Sequence, residues 1–557
     1  MHTSLSFFAI YALCKRNYPR RVLPTRHLLF TLKHLQKGGI VISQVYESAW
    51  RAYEAGKAYK QRIGLYETAR RNERFYRGDH WYGLHTDLPR PVFNFIRRIT
   101  DHQVASVIGG DVSITYSDDA LPFMCSEKEK AAISKGIDVL NRNAAWRWKH
   151  GKMEALSYRA LLDAAITGDG VFYAWWDPDR RNGHAFDGDI CTDVIDSANL
   201  FVADVNSSDI QSQRYVMLAG RATVEELRRE ALLAGVAEKD VARIVSDDEN
   251  MGTYTAELGK NELGGEEKAT FLIRFFREDG EVVFEKSTKN CLIRRAKTDL
   301  HLYPIAYFHW HDTKNCFHGT ASVSDMVANQ KYINTAYAMA LKHMQSTAFS
   351  KVIYDKTRIP EWSNEVGEAI AAVGGGNMAD TVSVVGTGQM QDGYLDLISD
   401  VIENTKGMMG ATDSALGDER AHNTSAILTL QSAASVSLEH VRVHFCRCIG
   451  ELAAIWADML FAYCPDGRML AVLEHNGEVG AQTIDYALLK NALINTTVHT
   501  GSVNRYSPAS TVSTLDKLLD GGHIDAAEYV ELLPMGVLID RDALLQKIKQ
   551  KGAATDE

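Results

Sequence analysis

The chain has 557 residues, of which 45% are hydrophobic and 24% are charged, so it has the composition of a globular protein large enough for several domains. Its formal net charge is −10, which excludes the basic excess that tight phosphate binding needs. The cysteines are scattered without a CxxC pair, a pattern typical of buried thiols in a reducing cytoplasm and not of a disulfide framework. No apolar run is long enough to span a bilayer.

The first part of the chain is predicted to be helical. Residues 44–77 are charged and free of proline, and Gly78 ends this helical stretch. A second helix follows Pro91 and ends near Gly109, and a third covers residues 146–167.

The middle of the chain combines short β-branched and aromatic runs with one helix. That helix covers residues 223–234, and Thr223 with Glu226 three positions on has the pattern of a capping box. The predicted strands are residues 171–176, 190–196, 215–218, 271–276, 282–286 and 305–310. The fold class predicted from this mixture is α+β.

The pattern changes after His318. Ser322–Thr347 has neither proline nor glycine and predicts a helix of roughly 40 Å. The segments that follow are a mixed segment (349–390), a helix (394–409), a loop of small and charged residues (410–423), the longest helix (424–463) and a helical tail (510–550) that Gly521-Gly522 and Pro534 interrupt.

Three local sequences stand out by their order and spacing. They are FYRGDHW at residues 75–81 with RPVFN at 90–94, AAITGDG at 164–170 before an aromatic strand, and GATDSALG at 410–417 before TSAI at 424–427. Together they resemble the portal proteins of tailed phages, especially those of short-tailed phages (podophages). The resemblance covers the chain from about residue 44 to residue 550.

This resemblance implies a ring, usually of twelve subunits, in which each subunit contributes an outer wing, a two-helix stem, a clip and a helical crown. The segments implied are 44–318 for the N-terminal helices and α+β wing, 319–348 for the first stem helix, 349–392 for the clip, 393–410 for the second stem helix, 411–423 for the channel (tunnel) loop, 424–464 for the long wing helix and 465–557 for the C-terminal region and crown.

The same resemblance implies a function without catalysis and without a cofactor or metal. The ring would sit at the portal vertex of the capsid, after synthesis in the cytoplasm of the bacterial host, and would be the channel for DNA packaging and ejection. The partners implied are double-stranded DNA, the terminase large subunit, the major capsid or scaffolding protein, and the neck and tail adaptor proteins, with no membrane.

Two groups of residues are the candidate sites. The channel loop is acidic and small, with one arginine, which suits weak contact with a passing polyanion; its residues are Thr412, Asp413, Ser414, Leu416, Asp418, Glu419, Arg420 and His422. The clip candidates for partner binding are Glu361, Trp362, Glu365 and Glu368. The alternatives are an ordinary solvated surface loop for the first group and a core tryptophan for Trp362.

A stripe of apolar residues on the first stem helix has helical spacing and predicts a core between neighbouring subunits. Its members are Met326, Ile333, Tyr337, Leu341 and Met344. A stripe of this kind is otherwise typical of the core within one chain.

Motifs for the common catalytic sites are absent from the sequence. It contains no GxxxxGK[ST], GxSxG or HExxH motif. His309, His311, Cys316 and His318 lie within one stretch, but their spacing fits no standard zinc finger, so no metal site is predicted. The alternative function from another class is a metal-dependent phage nuclease with an α+β core, which would need a convergent set of acidic or histidine ligands.

The N-terminal extension, residues 1–43, has no counterpart in the family. Lys37-Gly38-Gly39 can be encoded by a purine-rich ribosome-binding sequence, with Val41 as a start a few nucleotides on. The hypothesis is that residues 1–40 are not native. A peptide from before Val41, found by mapping of the natural protein, would contradict it.

Overall fold

The structure is a computed structural model that describes residues 42–83, 87–108, 112–117, 126–180, 188–247, 267–347, 351–363, 370–377, 380–385, 393–411, 436–464, 467–474, 478–490, 494–500 and 508–533, with Leu544 and Ile548. The described residues form helices together with sheets of two, three and five strands. The predicted α+β class is therefore confirmed. The hypothesis on residues 1–40 lies outside the described residues. None of the described helices is both long and apolar enough to cross a membrane.

The helices are, in chain order, α1 (Ile42–Arg62), α2 (Leu65–Arg77), α3 (Phe95–Ile108), α4 (Glu127–His150), α5 (Met153–Thr167), α6 (Val224–Leu233), α7 (Glu238–Val241), α8 (Ser322–Thr347), α9 (Gly393–Met408), α10 (Glu439–Tyr463), α11 (Tyr486–Lys490), α12 (Pro508–Asp520) and α13 (Ala526–Leu532).

The strands are β1 (Val112–Ser117), β2 (Asp169–Asp177), β3 (Asp189–Val194), β4 (Leu200–Val202), β5 (Tyr215–Thr223), β6 (Lys268–Glu278), β7 (Glu281–Thr288), β8 (Leu292–Lys297), β9 (Ile305–His309), β10 (Lys351–Tyr354), β11 (Val382–Val385), β12 (Met469–Leu473), β13 (Val479–Thr483) and β14 (Asn495–Thr500). All pairings among them are antiparallel.

Two predicted helices are each divided in the structure. The stretch 44–77 forms α1 and α2, because Gly64 adopts a left-handed conformation (φ 69°) between them. The helix predicted over 146–167 is wrong at its start: Trp146 belongs to α4, which ends at Gly151, and the left-handed Lys152 (φ 54°) separates it from α5. Gly78 closes α2 in the left-handed conformation, as predicted.

The predicted strands are all present, and two sheets hold most of them. One has the order β3-β2-β9 and the other the order β4-β5-β6-β7-β8. Thr223 caps α6 by accepting a hydrogen bond from the backbone N–H of Glu226 (3.3 Å), as predicted, but the Glu226 carboxylate does not return the second bond of a capping box. Sequence reading missed β1, β4, β8 and β10 to β14, since strands this short carry little periodicity.

The largest core joins the three-stranded sheet to α10 and α5. Phe445 of α10 packs edge-to-face on Phe308 of β9, with ring centroids 5.7 Å apart. The buried indole of Trp456 donates from Nε1 to the Thr192 hydroxyl of β3 (3.0 Å). Helix α10 is therefore fixed along its length to the sheet that precedes α8.

The long helix predicted over 424–463 is wrong as one continuous element. In the described part of the chain, α10 begins at Glu439, and Ser437 and Leu438 form a turn before it. Ser437 is a weak helix former, because its side chain competes for backbone hydrogen bonds. The segment 412–435 lies outside the described residues.

Substitution of two left-handed glycines by alanine tests how closely the turn before β2 approaches the segment that enters α8. Both Gly168 (φ 106°) and Gly280 (φ 85°) are left-handed, but a Cβ on Gly168 would lie 2.5 Å from the carbonyl oxygen of Gly319, whereas a Cβ on Gly280 would meet nothing within 4 Å. We expect Gly280→Ala to lower the free energy of unfolding by about 1–2 kcal/mol, the left-handed cost alone. Gly168→Ala should cost at least about 3 kcal/mol, since backbone strain adds to that cost. Denaturant titration measures both, and equal losses would contradict the close approach.

Candidate functional site

The two helices predicted to form the stem, α8 and α9, pack against each other. Ile333 and Ala336 of α8 and Ile398 of α9 are buried in one cluster. The Tyr394 hydroxyl donates to the carbonyl of Ala336 (3.1 Å), and the Asn329 amide donates to the Thr405 hydroxyl (2.9 Å). Since residues later in α8 meet residues earlier in α9, the two helices run antiparallel.

Between these helices, β10 pairs with β11 in the region predicted to be the clip, with Lys351 opposite Val385 and Tyr354 opposite Val382. Trp362 lies half-buried and stacks on the Tyr354 ring, with centroids 5.1 Å apart. Trp362 is therefore neither a fully exposed partner-binding residue nor a core tryptophan. Its ring packs on Tyr354 and keeps part of its surface exposed. Glu361 is exposed. Glu365 and Glu368 lie outside the described residues.

Helices α8 and α9 and this hairpin expose many large apolar side chains. These are Tyr332, Met339, Leu341, Met344, Ile353, Ile370, Val373, Leu395, Leu397 and Met408. Met326 and Ile333 of the predicted α8 stripe are instead fully buried within this chain. The stripe therefore divides into a part buried within the chain and a distal part that this chain leaves uncovered, which is typical of an interaction surface.

The exposed face of α9 is acidic. Asp396, Asp400 and Glu403 are all exposed and lie at helical positions i, i+4 and i+7, which places them on one side of the helix. The buried and half-buried residues Ile398, Val401 and Thr405 lie on the opposite side. Sequence reading did not single out this face, although its spacing is visible in the sequence.

The end of α9 is anchored to α3 where the predicted channel loop begins. Buried Gln103 of α3 donates from Nε2 to the carbonyl of Met409 (2.9 Å) and accepts from the Ser322 hydroxyl (2.6 Å) at the start of α8. Ala411 is fully buried beside α2, α3 and α8. The first residue of the loop is thus fixed, and the predicted site residues from Thr412 to His422 lie outside the described residues.

A second buried contact ties α8 to the FYRGDHW sequence. The Gln330 side chain of α8 donates to the carbonyl of Phe93 (2.8 Å) and to Asn334 (2.9 Å), and Asn334 contacts Nδ1 of His80 (3.0 Å). Nε2 of His80 lies 2.9 Å from the carbonyl of Phe75, which only an N–H can satisfy. Burial lowers the pKa of His80, so the neutral ring is favoured, and this contribution to stability is lost as pH falls below the ordinary histidine range.

The TGDG sequence before β2 organises the chain between β9 and α8. The buried Asp169 carboxylate accepts from the Tyr307 hydroxyl (2.6 Å) and the Gly319 N–H (2.9 Å), and it pairs with Nδ1 of His318 (2.6 Å). Burial by itself would raise the pKa of Asp169, but the His318 ring and these hydrogen bonds hold it below its ordinary value.

The histidine and cysteine stretch noted in the sequence separates into three environments. His318 pairs with Asp169, and Cys316 lies 3.4 Å from the hydroxyl of Tyr59. His309 and His311 instead face helix α10. The contribution of α10 could not be predicted, because its residues lie more than a hundred positions along the chain.

Comparison with known proteins identifies one family. Residues 298–506 match the family described as phage P22-like portal protein, a span that includes β9, α8, the β10–β11 hairpin, α9 and α10. The predicted resemblance to tailed-phage portal proteins is therefore confirmed by residues 298–506, which include the sequence GATDSALG; the predicted extent from residue 44 to residue 550 stays a prediction. Among curated proteins, none matches the chain.

Gln103 offers a test of how the start of the predicted channel loop is held. Gln103→Met keeps the side-chain length but leaves the Met409 carbonyl and the Ser322 hydroxyl without this partner, which should cost about 1–3 kcal/mol. Hydrogen exchange should accelerate at the amide of Ala411, whose N–H donates to the carbonyl of Lys406 (2.9 Å). Ser106→Ala on the same helix removes only a contact of 3.4 Å and is the control. Unchanged exchange at Ala411 in the Gln103 variant would show that the anchor lies elsewhere.

Proposed function

We propose that this chain, a tailed-phage portal protein by the P22-like family of its residues 298–506, forms a ring at a capsid vertex through which phage DNA is packaged and ejected. Helices α8 and α9 would be the stem, the β10–β11 region the clip, residues 411–423 the channel loop and α10 part of the wing. The single observation that carries the proposal is the division of α9 into faces of different chemistry. The ring number of twelve follows from the resemblance.

Two opposite faces and two flanks of α9 can be assigned from the 100° rotation per residue of a helix. Ile398, Val401 and Thr405 point toward α8, and Asp396, Asp400 and Glu403 point roughly the opposite way. The exposed Leu395 lies on one flank between these faces, and the exposed Leu397 and Met408 lie on the other. A helix with an apolar flank on both sides of an acidic face suits a place in a ring, with neighbours on either side and the bore in front.

The charge of the chain suits a channel for a polyanion. B-DNA carries a negative charge about every 1.7 Å, and a basic lining would hold it by its phosphates. Twelve copies would carry 12 × −10 = −120, so the ring as a whole repels DNA. The predicted channel loop, which follows α9 in the sequence, adds Asp413, Asp418 and Glu419 against Arg420. Contact with the duplex would be weak all along this path, which allows it to slide.

The exposed part of the clip is the proposed docking site for the terminase large subunit and, after packaging, for neck and tail adaptors. Trp362 offers an aromatic surface held by Tyr354, and Glu361 beside it is exposed. An aromatic ring that its own hairpin already orders loses little conformational freedom when a partner covers it. The wing and crown would contact the capsid or scaffolding protein.

Ring formation is tested by placing charges on the exposed end of α8. The side chains of Met339 and Met344 are 52% and 59% exposed, so Met339→Glu with Met344→Glu should leave the fold of the single chain intact. Because about half of each side chain is left to bury, each contributes roughly 0.8–1.5 kcal/mol, so subunit association should weaken by at least about tenfold. Mass photometry and negative-stain images should show rings lost in favour of monomers.

Leu233→Glu is the matched control, because Leu233 is 67% exposed on α6, in the part of the chain predicted to be the wing. Its rings should form as in the parent protein. Rings of normal size in the double α8 variant would exclude this end of α8 as a subunit contact.

Channel charge is tested by two sets of reversals, Asp396, Asp400 and Glu403 to Lys in α9, and Asp413, Asp418 and Glu419 to Lys in the loop. Both should hinder DNA packaging or retention without preventing ring assembly, because clustered lysines bind phosphates. The deficit should shrink as salt is raised. Packaged DNA per assembled particle, measured by nuclease protection, gives the result.

The control carries the same change of charge on exposed wing residues, Glu154, Glu225 and Glu238 to Lys. Its packaging should stay near that of the parent. Packaging at parent levels in the loop set would count against the loop assignment, and the same result in the α9 set would count against α9 as a channel lining.

A further inference from the structure

Two histidine pairs meet where the chain leaves β9. His309 and His311 lie two residues apart on extended backbone, so both side chains point to the same side. His440 and His444 lie four residues apart on α10 and share a face of that helix. His309 packs against His444, with ring centroids 4.7 Å apart, and His311 stacks on His440 at 4.9 Å.

Asp312 completes the set between His309 and His444. One ligand atom from each of these three residues lies within 4.8 Å of the others. Nε2 of His444 is 3.6 Å from Oδ2 of Asp312, and Nε2 of His309 is in contact with Oδ1. Ligand atoms around a tetrahedral zinc ion lie about 3.3 Å apart, so small rotations of Asp312, which is 68% exposed, suffice to close the site.

The surroundings of His309 and His444 favour a role in metal binding over a purely structural contact. The His309 ring is only 6% exposed, and its Nε2 makes no hydrogen bond of good geometry within the described part of the chain. Nδ1 of His444 lies 3.3 Å from the carbonyl of His309, and donation there leaves the lone pair on Nε2 facing Asp312. Most metal-binding histidines are oriented in this way, by donating from the other ring nitrogen to a carbonyl or carboxylate.

We infer that His309, Asp312 and His444 bind one divalent transition-metal ion of the zinc class, which joins the chain entering α8 to the long helix α10. The donors are two imidazole nitrogens and a carboxylate oxygen, which zinc accepts readily and which magnesium or calcium sites seldom use. The inference reverses the expectation of no metal that the local spacing gave, because the ligand that closes the set comes from a distant helix.

The role of the ion is structural. His311 and His440 are hydrogen-bonded to each other (Nδ1 to Nε2, 2.8 Å) and line one side of the site. Strand β9 and helix α10 already pack together through Phe308 and Phe445, so the ion reinforces an existing contact. Water would take the remaining coordination position on the side of the exposed Asp312. The inference does not depend on ring formation and can be tested on any preparation of the full chain.

The test is titration of the EDTA-treated full chain with ZnCl2 by calorimetry, and with CoCl2 by visible absorption. We expect one ion per chain, a tetrahedral Co²⁺ spectrum and a higher Tm with zinc. His444→Gln and Asp312→Asn should each raise the Kd for zinc at least about tenfold and remove the zinc-dependent rise in Tm. Because Asp312 is exposed, Asp312→Asn should fold normally. It therefore still tests zinc binding if His444→Gln folds poorly.

His523→Gln, an exposed histidine of the C-terminal helical region, is the control and should bind zinc as the parent does. Parent-like affinity in both site variants would overturn the inference. So would an octahedral Co²⁺ spectrum. Metal-dependent cleavage of DNA that is lost in His444→Gln would overturn the structural role and would favour a nuclease instead.

Discussion

The position of helices α8 and α9 depends on one buried carboxylate, that of Asp169. Asp169 stands at the tight turn from α5 into β2, where a hydroxyl, a backbone N–H and the ring of His318 all bind it. A charge this deep is tolerable only with such partners, and removing them would leave it uncompensated. Because its pKa is depressed in the folded state, its contribution to stability is present at neutral pH and is lost as pH falls through the folded-state pKa.

The backbone next to Asp169 in turn fixes the segment that leads into α8. The backbone of Gly168 accepts from the N–H of Trp310 (2.9 Å), and Gly319 packs so closely on it that neither position has room for a Cβ. The backbone between β9 and α8 is therefore held in one path as it leaves the sheet and enters α8. Gln103 then fixes the first residue of α8 and the end of α9 together, so that these two ends share one support in the helices α2 and α3. A force on α8 and α9 would be carried into α2 and α3 through packed and hydrogen-bonded contacts.

Sequence periodicity predicted the elements that carry long, one-sided patterns and failed where single residues decide. Helix α8 has the predicted bounds, and α9 differs by one residue at each end, because both run without a strong breaker. The breaks at Gly64 and Lys152 depend on one left-handed residue each, which periodicity does not reveal. The meeting of His309 with His444 is a tertiary contact, and no local spacing encodes it. The half-buried Trp362 fitted neither simple alternative, because it stacks on Tyr354, eight residues earlier at the end of β10, and that contact depends on how the loop after β10 folds back.

In the proposed assembly, helix α9 carries both the apolar flanks that would join the subunits and the acidic face that would line the channel. A closed ring of identical subunits needs two different, complementary flanks on each copy, whereas a two-fold dimer needs a single self-complementary patch. Leu395 on one flank of α9 and Leu397 with Met408 on the other meet the first requirement. The flanks leave the acidic face between them uncovered, and like charges brought together in a narrow bore repel each other as well as DNA. Apolar burial on the flanks must therefore exceed that repulsion, which is largest at low salt. An assembly of this kind grows more stable as salt is raised, the opposite of one held by ion pairs across its subunit contacts.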